Sequence, residues 1–346
     1  STLFNALTAA GALAANYPFA TVDPNVGVAV VPDPRLDAIA AIVKPKDVVP
    51  TAIEFTDIAG LVAGASSGEG LGNQFLGHIR DVDAIAHVVR VFDDPNVSHI
   101  GGRVDPVGDI ETIHTELALA DLGTVERAKD RHTRRAKSGD ADAAAAARVA
   151  ERLEEALAAG RPARSVELSD AEKPHARELH LLTAKPMLYV ANVDESTHDD
   201  ELRAIADHAA AEGAQLVVIH GQAEAEIAEL PVEDRADFLD ELGLDEPGLH
   251  TFIRAAYRVL GLNTFFTAGD KEARAWTFRT GATAPQAAGQ IHTDFEKGFI
   301  RAEIVNYEDF VELGGEAGAK QAGKWRLEGK EYVVQEGDVI HFRFNV

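Results

Sequence analysis

The sequence has no cysteine in 346 residues, which excludes disulfides, thiolate metal ligands and any thiol switch within the chain. It has no uninterrupted apolar run of ~18 residues, so nothing in it reads as a membrane-spanning helix. No basic stretch precedes an apolar one near Ser1, and a secretory leader is not expected. The expected compartment is the cytoplasm, with no membrane partner. Positive charge is short as well: 33 Lys and Arg stand against 57 Asp and Glu, a net charge of −24. Such a surface repels a polyanion at long range, which argues against a protein that wraps nucleic acid over its whole surface while leaving room for local basic patches, and DNA is not an expected partner. The acidic excess is spread through the chain, and its plain reading is solubility. Apart from the Ala run at 143–147 there is no internal repeat or low-complexity tract.

What remains is an ordinary globular composition, 46% apolar, in a chain longer than one typical core. Two or three domains are expected. Leu3, Phe4 and Leu7 fall at helical spacing, which predicts a helix starting at or just before Ser1. Strand-like runs come next at 26–31 (VGVAVV), 52–58 (AIEFTDI), 84–92 (AIAHVVRVF), 186–193 (PMLYVANV) and 214–221 (AQLVVIHG). They alternate with helical stretches, and several are apolar nearly throughout, as parallel strands covered on both faces are. The expected fold is α/β with a doubly wound, mostly parallel sheet. From about 109 to 182 the chain turns Ala-, Glu- and Arg-rich, broken near SGDAD (138–142) and GRPARS (160–165), which predicts an inserted helical hairpin. Its segment ERAKDRHTRRAK (126–137) holds six Lys or Arg in twelve residues, and reads either as a solvated helix face or as an RNA-facing patch. After GLNTFFTAG (261–269) short strands are expected at 272–278, 299–305, 331–335 and 339–345. In the last, Ile340, Phe342 and Phe344 alternate with polar residues, so one buried and one wet face are expected of a separate α+β domain.

Ser1-Thr2 stands before an apolar helix, the place such a pair takes directly after the Gly-Lys of a phosphate-binding loop, where amides cradle phosphate and the hydroxyl ligates Mg²⁺. Taken alone it is equally an ordinary helix cap. Asp57 ends the strand-like run 52–58, two residues before Ala59-Gly60, where P-loop enzymes hold magnesium on the carboxylate and sense the γ-phosphate with the glycine amide. Gly64, Gly68, Gly70 and Gly72 come after Gly60, giving either a switch or a long connector. Thr21, in the proline-punctuated loop NYPFATVDPN (16–25), is a candidate metal ligand of a first switch. Base recognition is expected from the strand end Asn192-Val193-Asp194-Glu195. Guanine-specific enzymes usually show Asn-Lys-x-Asp there, and the longer Glu195 displaces the acceptor, which disfavours a true GTPase. At HGQAEAE (220–226), where related enzymes place a base-edge loop, Gly221 and Gln222 leave that contact unassigned.

The stretches STLFNALT, PFATVDPN, DIAGLVAGASSGEGLGNQFL, NVDE and TAPQAAGQIHTDFEKGFIRAE together resemble the YchF subfamily of Obg-like P-loop NTPases, of the TRAFAC class, over essentially all 346 residues. The resemblance implies a P-loop domain at 1–108 and 183–262, a helical hairpin at 109–182 and a C-terminal β-grasp-like TGS domain at 263–346. It implies ATP as the substrate with GTP weaker, Mg²⁺ as cofactor, and a role with the ribosome or ribosomal RNA in translation or stress regulation. Leu61 stands where a water-orienting Gln stands in Ras-like enzymes, so either hydrolysis is slow and partner-stimulated or another polar group acts. The resemblance points to His99, in DDPNVSHIGG (93–102), for that role, against the reading of a bystander loop histidine. The expected site is therefore His99 for catalysis, Ser1, Thr2, Gly60, Asn192 and Glu195 for nucleotide, and Ser1, Thr21 and Asp57 for metal. A second reading is a nucleotide-responsive ribosome- or RNA-binding module with negligible turnover. The P-loop glycines, its lysine and the strand feeding it are expected upstream of Ser1. A strand of ~5 buried residues at ~1.5–3 kcal/mol each amounts to about 10 kcal/mol against a net ~5–15 kcal/mol, so a fragment that folds poorly and binds nucleotide weakly is expected.

Overall fold

A computed structural model describes residues 2–12, 26–58, 71–92, 104–195, 197–231, 234–241 and 243–345. Helix α1 (Thr2–Ala12) buries Leu3, Ala6 and Leu7, the spacing of one helical face. Strand β1 (Val26–Val30) is next, and its Gly27 lies so close to α1 that a Cβ there would meet the Thr8 side chain at 2.1 Å. Helix α2 (Pro34–Val43) starts on an Asp33 cap with proline in its first turn and stops at Lys44, whose φ of 49° is left-handed. Next come β2 (Asp47–Val49), β3 (Ala52–Thr56), α3 (Leu71–Asp81) and β4 (Ile85–Arg90). Helices α4 (Pro106–Ala136) and α5 (Ala141–Ala158) are each capped by an aspartate, Asp105 and Asp140, and are parted by a turn in which Gly139 takes φ 88°. Then α6 (Lys173–Arg177), β5 (Met187–Asn192), α7 (Asp199–Ala211), β6 (Gln215–Ile219), α8 (Gly221–Glu229) and α9 (Arg235–Glu241) lead to α10 (Gly248–Val259). The last stretch holds β7 (Leu262–Ala268), β8 (Glu272–Arg279), α11 (Ala284–Ile291), α12 (Thr293–Lys297), β9 (Phe299–Asn306), α13 (Tyr307–Glu312), α14 (Glu316–Gln321), β10 (Arg326–Glu328) and β11 (Asp338–Phe344).

The chain forms two compact units, one chiefly of residues 56–241 and the other chiefly of 26–55 and 242–346. In the first, β4, β5 and β6 make a parallel sheet with β5 in the middle, Ile85 opposite Met187 and Leu188 opposite Gln215. Residues Met187 to Ala191 are all buried, because helices cover both faces of a central parallel strand. Leu76 and Ile79 of α3, Ile110 and Leu117 of α4, and Ile205 of α7 complete that core. Farther along α4 and α5, Val125, Val149, Leu153 and Leu157 form a core of their own. Asp121 of α4 ties the returning chain to the sheet. It is 1% exposed and accepts from the backbone N–H of Leu182 (2.9 Å) and Thr183 (2.7 Å) and from the Thr183 hydroxyl (2.7 Å).

In the second unit a six-stranded mixed sheet runs β10-β9-β11-β7-β8-β2, with β11 parallel to β7, β2 parallel to β8, and the other pairs antiparallel. β1 and β3 pair as a separate two-stranded sheet. Three local expectations are corrected. Residues 331–335 form no ladder strand, because their backbone bonds go to the segment entering α11: Ala284 N–H to Tyr332 O (2.8 Å) and Val334 N–H to Ala282 O (3.0 Å). β11 keeps the expected alternation over 340–343, with Ile340 and Phe342 buried toward α11 and His341 and Arg343 exposed, but the face is not wet along its whole length, since Val339 packs with Leu36 and Ile39 of α2 on the opposite side. Phe344, at 36% exposure, sits outside that core with its ring 3.6 Å from that of Phe295. Among the described residues, no helix is long and apolar enough to cross a membrane.

Candidate functional site

In open parallel sheets, ligands meet the loops at the carboxyl ends of the strands. Asn192 is the last residue of β5, paired across to Arg90 on β4 and Ile219 on β6. Its side-chain Oδ1 accepts from the backbone N–H of Gly221 at 3.0 Å. Gly221 is the first residue of α8, and the preceding His220 makes no side-chain cap, so Asn192 satisfies an N–H that the helix start leaves open. The approach is close: a Cβ at 221 would lie 2.5 Å from Asn192 Oδ1 and would displace that amide. The end of β5 and the loop after β6 are thus fixed to one another by one short contact.

The residues after Asn192 separate sharply in environment. Val193, where guanine enzymes carry lysine, is buried in the sheet core and its N–H bonds Ile219 O at 2.9 Å. Glu195 is exposed in the adjoining turn. That turn is fixed by Thr197, whose Oγ1 accepts from Asp194 N–H at 3.1 Å and lies 3.4 Å from Val91 O at the end of β4. Sequence reasoning missed Thr197, although Asp-x-x-Thr after a strand is a recognisable hydroxyl-closed turn. It also left Gly221 unassigned, whereas the structure gives that residue a defined partner. Gln222 turns along the helix surface, with Nε2 3.2 Å from Glu226 Oε1.

Thr2 opens α1 and is exposed. Asp57 comes directly after β3, half-buried. Asn192 and Glu195 share the end of β5. Ser1, Thr21, Gly60, Leu61 and His99 lie outside the described residues. The metal ligands expected from sequence, Ser1, Thr21 and Asp57, are all hard oxygen donors, a set that suits Mg²⁺ and not a softer metal.

The basic run falls on α4. Arg127, Arg131, Arg134 and Arg135 are exposed there and, with Asp130, line a shallow groove. Arg127, Arg131 and Arg134 recur at helical spacing on one face. Arg135 pairs with Asp140 at 2.8 Å and Lys129 with Glu154, so part of the positive charge is held within the hairpin.

Comparison with known proteins adds to this geometry. A family model described as a 50S ribosome-binding GTPase matches residues 1–145. The model of the YchF-GTPase C-terminal family, described as a protein of unknown function, matches residues 262–345. The Ribosome-binding ATPase YchF of Bacillus subtilis is 57% identical over 351 residues, covering 100% of this chain and 96% of that protein. Its counterpart of the same name in Escherichia coli O157:H7 is 56% identical over 348 residues, again across 100% of this chain and 96% of that one. The solved structure of the Schizosaccharomyces pombe YchF GTPase superposes with a TM-score of 0.86 at 36% identity, covering 99% of this chain and 94% of that one. A GTP-binding protein from Pyrococcus horikoshii shares the fold, with a TM-score of 0.61 at 18% identity over 99% of this chain and 96% of that one. The fold is that of a mixed α/β P-loop GTPase.

Proposed function

The chain belongs to the YchF family, and from that premise we propose that it is a ribosome-associated ATPase whose nucleotide state sets its engagement in translation or stress regulation. The observation that carries this reading is the identity to curated ribosome-binding ATPases along the whole chain. The strand-end chemistry supports ATP over GTP. Glu195 reaches past the position from which an aspartate accepts guanine's N1 and N2 hydrogens, and buried Val193 offers no lysine. Asn192 commits Oδ1 to Gly221 and keeps Nδ2 to donate to a purine N7, an acceptor common to adenine and guanine.

Ser1, Thr2 and Gly60 supply phosphate contacts, and Ser1, Thr21 and Asp57 hold Mg²⁺. When bound, the ion neutralises charge on the β- and γ-phosphate oxygens. His99 orients the attacking water, a task for which the Leu61 side chain has neither donor nor acceptor. Residues 1–108 and 183–262 serve as the nucleotide domain, 109–182 as a helical arm and 263–346 as a TGS domain. The arm meets ribosomal RNA through Arg127, Arg131 and Arg134, whose exposure on one helix face supports a phosphate-contacting role. A cytoplasmic location accords with that partner.

Calorimetry of the full-length chain with ATP and GTP tests the nucleotide assignment, and a clear GTP preference overturns it. Turnover measured with and without ribosomes tests the activity. Absence of hydrolysis under both conditions leaves the second reading, a nucleotide-responsive binding module, which the exposed arginines of α4 favour.

A further inference from the structure

Far from the carboxyl ends of the strands, α4, β4, β5 and α7 bring together residues that nothing in the nucleotide chemistry uses. His208 and Glu212 stand four apart at the end of α7, and His114 reaches them from α4. Tyr189 of β5 and His87 of β4 close the inner side, with ring centroids 5.8 Å apart, and Arg164 closes the other. Glu212 Oε2 is fully engaged by Arg164 Nη2 (2.6 Å) and by the Tyr189 hydroxyl (2.9 Å). Its second oxygen, Oε1, faces two histidine nitrogens: His114 Nδ1 at 3.1 Å and His208 Nε2 at 3.7 Å.

Proton counting exposes a deficit in the cluster. Three short contacts, Tyr189 hydroxyl to Glu212 Oε2 (2.9 Å), Tyr189 hydroxyl to His114 Nε2 (2.8 Å) and His114 Nδ1 to Glu212 Oε1 (3.1 Å), share two protons when His114 is neutral. One contact therefore needs a further cation, either a second ring proton or a metal ion. His208 discriminates. Its Nε2 is buried without a hydrogen-bond partner among the described residues, and a proton on His114 leaves it so. An ion at the centre satisfies all three atoms at once.

We propose that His114 Nδ1, His208 Nε2 and Glu212 Oε1 form a binding site for one Zn²⁺ ion that staples α4 to α7. Zinc bonds of ~2.0–2.2 Å in a tetrahedron place ligand atoms ~3.3–3.5 Å apart. The two edges to Glu212 bracket that spacing, and all three atoms lie within 4.8 Å of one another. Two imidazoles and one carboxylate select zinc over Mg²⁺, which prefers all-oxygen octahedra. The side chains of His114 and His208 are each 22% exposed and that of Glu212 16%, so the cluster lies at the edge of the core and is not sealed within it. The supporting bonds are already in place: Tyr189 holds the far nitrogen of His114, and Arg164 with Tyr189 holds the far oxygen of Glu212.

The test is Zn²⁺ titration of the full-length, chelator-stripped chain against a chromophoric competitor, in excess Mg²⁺. One equivalent is expected to bind, with affinity at least tenfold weaker in His208→Ala and in Glu212→Gln, and unchanged in His250→Ala, a partly exposed histidine beside Glu246 on α10. Uptake that is absent, or equal in His208→Ala and the parent chain, overturns the proposal. Where a substitution prevents folding, Co²⁺ added to the unsubstituted chain decides: the intense visible bands of four-coordinate nitrogen and oxygen ligation at one equivalent support the site, and a spectrum like that of aqueous Co²⁺ refutes it.

Discussion

Replacing Gly221 with alanine sets two effects of opposite sign against each other. Alanine is favoured over glycine within a helix by up to ~1 kcal/mol, so propensity alone makes Gly221→Ala neutral or stabilising. The structure gives the other sign. The new Cβ would lie 2.5 Å from Asn192 Oδ1, so the Asn192 amide must rotate away. It then loses the 3.0 Å bond from Gly221 N–H, worth ~0.5–1.5 kcal/mol, and leaves a preferred rotamer for another ~0.5–1.5 kcal/mol. The balance is a loss of about 1 kcal/mol, seen as a melting temperature lowered by about 1–2 °C. If Asn192 also meets the base, ATP affinity falls about fivefold, since ~1.4 kcal/mol is tenfold. The decisive assay is a double-mutant cycle using thermal melts and ATP calorimetry. With Asn192→Ala already in place there is no Oδ1 to displace, so adding Gly221→Ala should cost nothing and can recover stability through propensity. A Gly221→Ala penalty that is the same in both backgrounds would refute the steric argument.

Asp121→Ala strips acceptors from two buried N–H groups and a hydroxyl, and a stability loss of about 3–5 kcal/mol is expected in denaturant unfolding. Burial raises the Asp121 carboxyl, so the native state keeps that proton to a higher pH than the unfolded chain does. Its contribution is therefore fully present at low pH and declines as pH rises from about 4 upward, a slope that Asp121→Asn should flatten in pH-dependent melts. Changing Arg127, Arg131 and Arg134 together to glutamine is expected to weaken ribosome binding and to reduce the log–log salt slope by about 2, with ATP affinity unchanged. His99→Ala should lower ATP turnover by about tenfold or more while ATP affinity stays within a few-fold, and an unchanged rate removes His99 from the reaction.

The sequence shows β5 most plainly, because Met187 to Ala191 are buried on both faces and a run of that kind needs no partner to be recognised. The same run delivers Asn192 and Glu195 at its end, with Val193 turned into the core between them. Other elements leave no local trace. β2 is three residues long and exists only because it pairs with β8 far along the chain. β7 reads as a boundary since Asn263 and Thr264 look like turn residues, yet Thr264 is 2% exposed and meets the Tyr257 hydroxyl at 3.1 Å. The histidine cluster is invisible in the sequence for a similar reason. Only His208 and Glu212 share an element, and the contributions of His114, Tyr189 and Arg164 depend on how α4 returns to the sheet. Asn192 is legible as a strand-end amide, but its tie to Gly221 is a three-dimensional contact across 29 positions.

The pairing of β2 with β8 also fixes an order of events during synthesis. Roughly 220 residues separate the two strands, and at ~5–20 residues per second the ribosome needs ~10–45 s to deliver the second after the first. Through that interval α2 and β2 have no sheet to join, and Leu36 and Ile39, both buried in the finished fold, wait for Phe266, Ala275 and Val339. The unit of residues 56–241 has all its strands before then. An arrested nascent chain ending near residue 265, long enough to release β6 from the ribosome but lacking β8, is therefore expected to protect β4, β5 and β6 from proteolysis while the segment 34–49 is still cut.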